Sequence, residues 1–307
     1  MSVAFARCLN YIGTMDSAFR LGFIVPALAV IGLLGCASSP AIAADVSPWE
    51  DDAQSAARLI AARPGAQSGG TVSPGNQALR AGVEIKLKPG WKTYWRYPGD
   101  SGVPPVLDFS KSQNVKTATV LFPAPMRFDD GGGGSSIGYN GDVILPVHVV
   151  PEEAGKPVTL RLKLDYAVCE KLCIPAQAQL ELLLTDADST QDGALSAAES
   201  RVPKITKIGD HGAPAIRAVR REAGSGKPRV VVDVAAPAGA PVTLLAEGPT
   251  AQWALPLPEP VAGAPAGLQR FAFVLDGLPP GEKPDGATLR LTAVAGDKAV
   301  EVAFRLD

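Results

Sequence analysis

The segment from Leu160 to Leu184 limits the possible folds of this chain more than any other. Leu160, Leu162, Leu164, Tyr166 and Val168 alternate with Arg161, Lys163, Asp165, Ala167 and Cys169. After a short gap, Ile174, Ala176, Ala178, Leu180 and Leu182 alternate with Cys173, Pro175, Gln177, Gln179 and Glu181. A period of two marks a β-strand with one buried face. The two runs predict an antiparallel hairpin with Glu170-Lys171-Leu172 as its loop, leucines inward and both cysteines on the polar face. In that alignment Leu162 meets Leu180, Arg161 meets Glu181 and Cys169 meets Cys173, so one register satisfies the core, a charge pair and the two sulfurs. Directly opposed Cα atoms lie about 4.5 to 5.5 Å apart, within disulfide range, whereas a fully extended five-residue segment holds them roughly 13 Å apart.

The position of the pair bears on its purpose. Closing a five-residue loop removes only about 2 kcal/mol of unfolded-state entropy, against about 4.7 kcal/mol for a loop of 100 residues. A stabilising staple is worth more elsewhere, whereas an exposed disulfide at a strand end is open to an attacking thiolate. Lys171 favours the thiolate and Asp165 and Glu170 oppose it, so the local sequence leaves the sign of the thiol pKa shift open. Two further readings stand beside exchange chemistry. One is an inert clasp on the hairpin; the other is a soft-metal site, for an ion such as copper, with His148 or Met126 as helpers.

Composition sets the outer limits. A chain of 307 residues that is 46% hydrophobic and 20% charged is globular, with room for about two cores. Its 29 Lys plus Arg against 31 Asp plus Glu leave no basic surplus to neutralise a phosphate backbone, so nucleic acid is not an expected partner. The 32 Gly and 28 Pro suit many short strands joined by turns.

Leu21 to Leu34 is an uncharged apolar run, short for a membrane span and of the length of a signal-peptide core. A start at Met15 would leave Met15 to Arg20 as its basic lead. Ala41-Ile42-Ala43 predicts cleavage before Ala44, making residues 1–43 a signal peptide. Leu33-Leu34-Gly35-Cys36 resembles a lipobox and would instead make Cys36 a lipid-anchored N-terminus. In either case Cys8 is removed and Cys36 is removed or lipidated, so of four cysteines only Cys169 and Cys173 remain, in a compartment where disulfides persist.

Residues 44–70, rich in Ala, Gly, Ser and Asp, read as an N-terminal arm with a short helix near Asp51 to Ala62. Strand runs follow at 77–87, 91–97, 115–122, 143–150, 158–168 and 174–184, giving an antiparallel sandwich of immunoglobulin-like size over 71–186. Residues 187–202 read as a linker with one short helix. A second set of runs at 215–222, 229–235, 242–247, 268–275, 288–295 and 299–306 indicates a second sandwich over 203–307, in which His211 is a surface residue. The expected fold class is all-β: two immunoglobulin-like antiparallel β-sandwich domains after the signal peptide.

Tyr166-Ala167-Val168-Cys169 followed by Cys173-Ile174-Pro175 resembles the active-site hairpin of the N-terminal periplasmic domain of the thiol:disulfide interchange protein DsbD family and its ScsB-type branch. Gly90-Trp91-Lys92-Thr93-Tyr94-Trp95-Arg96-Tyr97-Pro98-Gly99-Asp100-Ser101-Gly102, Pro104-Pro105, Phe122-Pro123-Ala124-Pro125, Gly138-Tyr139 and Leu145-Pro146-Val147 continue the likeness in order, from about Gly75 to Leu184. The resemblance implies an immunoglobulin-like domain that relays reducing equivalents without a cofactor. A membrane-embedded thiol reductase would reduce the pair, and the pair would reduce periplasmic thioredoxin-fold proteins. It makes Cys169 and Cys173 the catalytic couple, with Cys173 favoured as the cysteine that forms the mixed disulfide. Tyr166 and Pro175 beside the pair are candidate binding residues, as are Phe128, Asp129 and Asp130 in the region of the family's cap loop.

Two departures qualify the likeness. DsbD has a longer gap between its cysteines than the three residues here, which favours the ScsB-type branch. Family members also carry a multi-span reductase and a thioredoxin domain in the same chain. Neither occurs in these 307 residues, so the electron donor is expected to be a separate protein. The glycines from Gly131 to Gly134 predict a mobile flap after Asp130. The aromatic run Trp91, Tyr94, Trp95 and Tyr97 reads equally as partner surface and as core. Asp188 to Glu199 matches an EF-hand loop at its first, fifth, sixth and twelfth positions, against a linker whose Asp192 caps a short helix.

Overall fold

The computed structural model describes residues 45–63, 78–129, 133–184, 189–223 and 226–307. The expected export segment with Cys8 and Cys36, together with Asp130 and Asp188, lies outside them. Among the described residues no helix is long and apolar enough to cross a membrane.

The first sandwich contains β1 (Glu50–Asp51), β2 (Ser55–Ala62), β3 (Leu79–Leu87), β4 (Lys92–Gly99), β5 (Val106–Asp108) and β6 (Val115–Val120). It continues with β7 (Met126–Asp129), β8 (Ser135–Asn140), β9 (Val143–Pro151), β10 (Val158–Cys169) and β11 (Cys173–Leu184). One sheet has the order β1-β2-β3-β9-β6; the other runs β11-β10-β4-β8-β7, with β5 also on β10. All pairings are antiparallel. Leu59, Val83, Leu145 and Val147 of the first sheet meet Trp95, Ile137, Leu160 and Leu164 of the second in one core. One helix among the described residues, α1 (Asp192–Ser200), follows.

The second sandwich contains β12 (Lys204–Ile205), β13 (Ala215–Glu222), β14 (Arg229–Ala235), β15 (Val242–Glu247), β16 (Glu259–Pro260), β17 (Leu268–Val274), β18 (Thr288–Ala295) and β19 (Lys298–Arg305). Its sheets have the orders β12-β19-β18-β15 and β13-β14-β17-β16 around Trp253, Phe271, Leu289 and Leu291. The two sandwiches share apolar contacts, since Leu245 and Leu257 of the second belong to the core of the first.

The N-terminal segment corrects the expectation of an arm with a helix. Residues 55–62 form β2, paired with β3 so that Ala57 faces Ile85 and Leu59 faces Val83. Ala57, Leu59 and Ala61 point into the sandwich, while Ile60 and Ala62 pack on the opposite face against Leu195 of α1. A strand covered on both faces loses its alternation, and its alanines then imitate a helix.

The helix expected in the linker forms, but it is docked on the first sandwich. Leu195 is fully buried, and the Arg80 guanidinium on β3 holds Glu199 at 2.6 Å. Gln191, whose side chain makes no capping bond, occupies the N-cap position. Asp192 lies in the first turn and accepts from the Arg63 backbone N–H at 2.7 Å, so the expected Asp192 cap is replaced by a tie to the end of β2. The calcium-loop match fails on the same element. Asp192 and Glu199 sit at opposite ends of one helix, about 10 Å apart along its axis, and each is engaged with the sheet. His148 on β9 approaches the same Glu199 at 3.7 Å.

Burial works against the Glu199 carboxylate, but hydrogen bonds from His148 and Arg80 and the Arg80 charge outweigh it and pull the pKa down to about 2. A depressed acid stabilises the fold above its unfolded pKa and loses that stabilisation as pH falls through the folded one. Glu199→Gln should therefore lower stability by about 1 kcal/mol at pH 7, the partial exposure of the pair having been discounted. The difference from wild type should shrink between pH 4.5 and 2 in thermal unfolding followed by circular dichroism. A difference that does not change with pH would show that the ion pair is not its source.

Candidate redox site

The hairpin adopts the expected register throughout. Leu162 opposes Leu180, Arg161 opposes Glu181 at 2.6 Å between charged groups, and Cys169 opposes Cys173. The two cysteines form a disulfide, with Cα atoms 4.1 Å apart. Leu160, Leu162, Leu164, Ala178, Leu180 and Leu182 are at most 5% exposed, each leucine contributing about 1.5 to 3 kcal/mol of burial. Leu172 at the loop tip is 77% exposed, which lifts the disulfide clear of the core. Two positions depart from the alternation. Ile174, expected inward, is 37% exposed at the hairpin end, and Ala167, expected outward, is buried.

Ala167 is covered because β4 lies beside β10 and carries Tyr94 across it. Val168 pairs with Thr93 and Cys169 with Lys92, so β4 flanks the strand that bears Cys169. Thr93 donates its hydroxyl to the Ala167 carbonyl at 2.9 Å and fixes this pairing. The Tyr94 hydroxyl lies 3.0 Å from Cys173 Sγ on β11. To get there the tyrosine spans two strand spacings, roughly 10 Å, over the face of β10, and the small side chain of Ala167 leaves room for it. Gly102 closes the other side of the ring: a Cβ there would sit 2.5 Å from Tyr94 Cε1, and its φ of +132° disfavours any side chain. Asp165 is paired with Lys163 at 2.9 Å, which weakens its opposition to a thiolate.

The remaining candidates divide. Pro175 is exposed and adjacent to Cys173. Tyr166, expected as a binding residue, is a core residue instead, 4% exposed with its hydroxyl 2.7 Å from Ser55 Oγ; its place in the alternation turns it inward, and burial raises its pKa. Phe128 lies on β7, at the far edge of the sheet, and reaches the site only indirectly: the Lys92 ammonium sits 4.6 Å over its ring. Asp129 is exposed beside it, and Asp130 lies outside the described residues. Tyr94, Trp95 and Tyr97 are buried and Trp91 is half-buried against the core, so most of the aromatic run is interior.

The helpers of the soft-metal reading are elsewhere. Met126 is on β7, separated from β10 by two strands, and His148 is on the other sheet beside Glu199. Among the described residues no cluster of three or more His, Cys, Asp or Glu side chains is placed to hold a metal ion.

The family model for the N-terminal domain of thiol:disulfide interchange protein DsbD matches residues 65–185. This segment is a DsbD-type N-terminal domain. The match contains the whole hairpin and β4, hence every atom described around the disulfide. Among solved structures, the N-terminal periplasmic domain of ScsB from Proteus mirabilis superposes with a TM-score of 0.64 at 19% identity. The superposition covers 86% of this chain and 98% of that one, so the shared fold extends into the second sandwich. No curated protein matches the sequence. The disulfide lies inside the segment that matches the thiol:disulfide interchange family model, about two fifths of the chain.

Sequence reasoning found the sulfurs of this domain and missed the hydroxyl beside them. Tyr94 stands in a run of aromatics, and only the pairing of β4 with β10 singles it out. A hydroxyl that donates to a thiolate lowers the thiol pKa. Tyr94→Phe should raise the pKa of Cys173 in the reduced protein by about 1 unit, as expected for loss of one hydrogen bond to a charged group. The pH dependence of alkylation in a Cys169→Ser background reads this directly, and an unmoved midpoint would remove Tyr94 from the site.

Proposed function

We propose that this protein is a periplasmic thiol–disulfide exchange component. It passes reducing equivalents through Cys169 and Cys173 from a membrane-embedded thiol reductase to exported thioredoxin-fold proteins. The observation that carries this reading is the disulfide at the exposed end of a hairpin in a DsbD-type domain, with a phenol hydroxyl at Cys173 Sγ. The periplasmic assignment rests on the similarity to a periplasmic ScsB domain.

In the charging step a thiolate of the donor dithiol attacks the Cys169–Cys173 disulfide and forms a mixed disulfide. The second donor thiolate resolves it, leaving the donor oxidised and the pair as two thiols. Two electrons move, and the displaced thiolates take up the protons given up by the donor thiols. In the discharging step the Cys173 thiolate attacks the disulfide of the acceptor and expels one acceptor thiolate. Cys169 then attacks Cys173 Sγ, which restores the disulfide and releases the acceptor as a dithiol. The greater exposure of Cys173 and the hydroxyl that stabilises its thiolate favour it as the partner-facing sulfur. Cys169, half-buried between Cys173 and Lys92, suits the resolving role. Pro175 borders the attacked sulfur, and Phe128 and Asp129 bound the far side of the sheet from which a partner would approach.

Cys169→Ser should trap a mixed disulfide between Cys173 and an exported thioredoxin-fold protein, detected as a reducible adduct by electrophoresis and mass spectrometry. Cys173→Ser should trap at least tenfold less. Absence of any adduct with both variants, together with a potential below about −300 mV, would return the pair to a structural role.

A further inference from the structure

The second sandwich has no exchange chemistry of its own among the described residues, yet it is tied to the strand that serves the disulfide. β4 is held by sheet pairing at its two ends and not between them. Its register with β10 covers Lys92 and Thr93, and its register with β8 breaks after Tyr94, resuming at Gly99. What fixes the intervening residues is not the ladder. Trp95 is fully buried, with the Arg96 guanidinium 4.1 Å over its ring. Arg96 then leaves the first sandwich: Nε donates to Glu247 Oε2 at 2.9 Å and Nη2 to Glu247 Oε1 at 2.7 Å, and Nη2 also bonds Glu301. Tyr97 donates its hydroxyl to the Leu255 carbonyl at 2.8 Å. Glu247, Leu255 and Glu301 all belong to the second sandwich.

Tyr94 is therefore clamped between two anchors. On one side Thr93 bonds the Ala167 carbonyl of the hairpin, and on the other Arg96 and Tyr97 are bound to the second sandwich. The reach from β4 across β10 to Cys173 uses nearly the full length of a tyrosine, so a slide of β4 along β10 would lengthen and weaken the bond. The Arg96 site is built for a fixed geometry. A planar guanidinium bound to one carboxylate through two nitrogens tolerates little rotation, and the charges balance, with Arg290 3.3 Å from Glu301.

We propose that the second sandwich is a brace for the redox site, with Arg96 the positioning residue that holds the Tyr94 hydroxyl at Cys173. This role rests on the exchange function proposed above and goes beyond it by assigning a task to the domain that lacks cysteines. Arg96 touches neither sulfur and acts through β4.

The test is a double-mutant cycle in the full exported chain, reading the pH midpoint of Cys173 alkylation in the reduced Cys169→Ser protein. Arg96→Met should move the midpoint upward by at least about 0.5, a threefold loss of thiolate at a given pH below it. In a Tyr94→Phe background the same change should add nothing, and Arg96→Lys should recover only part of the shift, because an ammonium cannot bind Glu247 through two nitrogens. Glu199→Gln, a remote ion pair, serves as the control for a general loss of stability. A wild-type midpoint in folded Arg96→Met, or an equal shift with and without Tyr94, would overturn the proposal. Should Arg96→Met fail to fold, Tyr97→Phe and Glu247→Gln put the same question with smaller perturbations. The thiol midpoint is measurable whether or not the protein exchanges with a partner, so failure of the brace and failure of the exchange function give separate results.

Discussion

A one-residue slip of β11 against β10 would turn Leu180, Leu182 and Leu184 to water and the glutamines of β11 into the core. The penalty, on the order of 5 kcal/mol for three leucines, exceeds what either sulfur chemistry or a surface ion pair contributes. This makes the pairing of Cys169 with Cys173 a consequence of hydrophobic patterning, with the disulfide added to a register already fixed. The loop is short enough to leave both sulfurs at the strand ends, and Leu172 at its tip has no core to enter. The site is thus rigid in its backbone and open at its sulfurs, as exchange with another protein requires.

β4 converts that rigid hairpin into a tuned one. Lys92, Thr93 and Tyr94 serve the hairpin, and three residues later the same strand is bound to the second sandwich. Buried ion pairs such as Arg96 with Glu247 and Glu301 add little net stability, since desolvation offsets most of their attraction. Burial indeed opposes the Arg96 cation, and the two carboxylates more than offset it, keeping its pKa above the usual arginine value. What such a network does well is fix an orientation. An apolar interface would hold the two sandwiches together, but it would tolerate sliding that the directional bonds of a guanidinium do not.

The parts of the fold legible in the sequence were those with one wet face and one dry face. β10 and β11 alternate cleanly, and so their register could be read residue by residue. β13, β14, β15 and β18 are bounded by turn residues and form over the expected residues. β2 was hidden because α1 covers its outer face, which removed the polar half of its pattern. β7 and β8 were hidden because they are short and because β8 contains Gly138, whose missing side chain admits the Thr93 carbonyl, only 2.0 Å from where a Cβ would lie. Of the two readings of 188–199, a calcium loop or a linker with a short helix, the helix formed. Side-chain oxygens spaced for a loop point in other directions once residues 192–200 wind into a helix.

By itself the sequence determined the hairpin, its register and the pair of sulfurs at its end, because an alternation of period two permits one pairing and penalises its neighbours. It also carried the family likeness, since those motifs lie in continuous stretches. Only the tertiary structure decided which groups surround the sulfurs. Tyr94 reaches Cys173 across an intervening strand, and Arg96 finds carboxylates more than 150 positions away, at Glu247 and Glu301. Such contacts depend on strand order and on the packing of one sandwich against another, and neither leaves a periodic mark on the residues that make them.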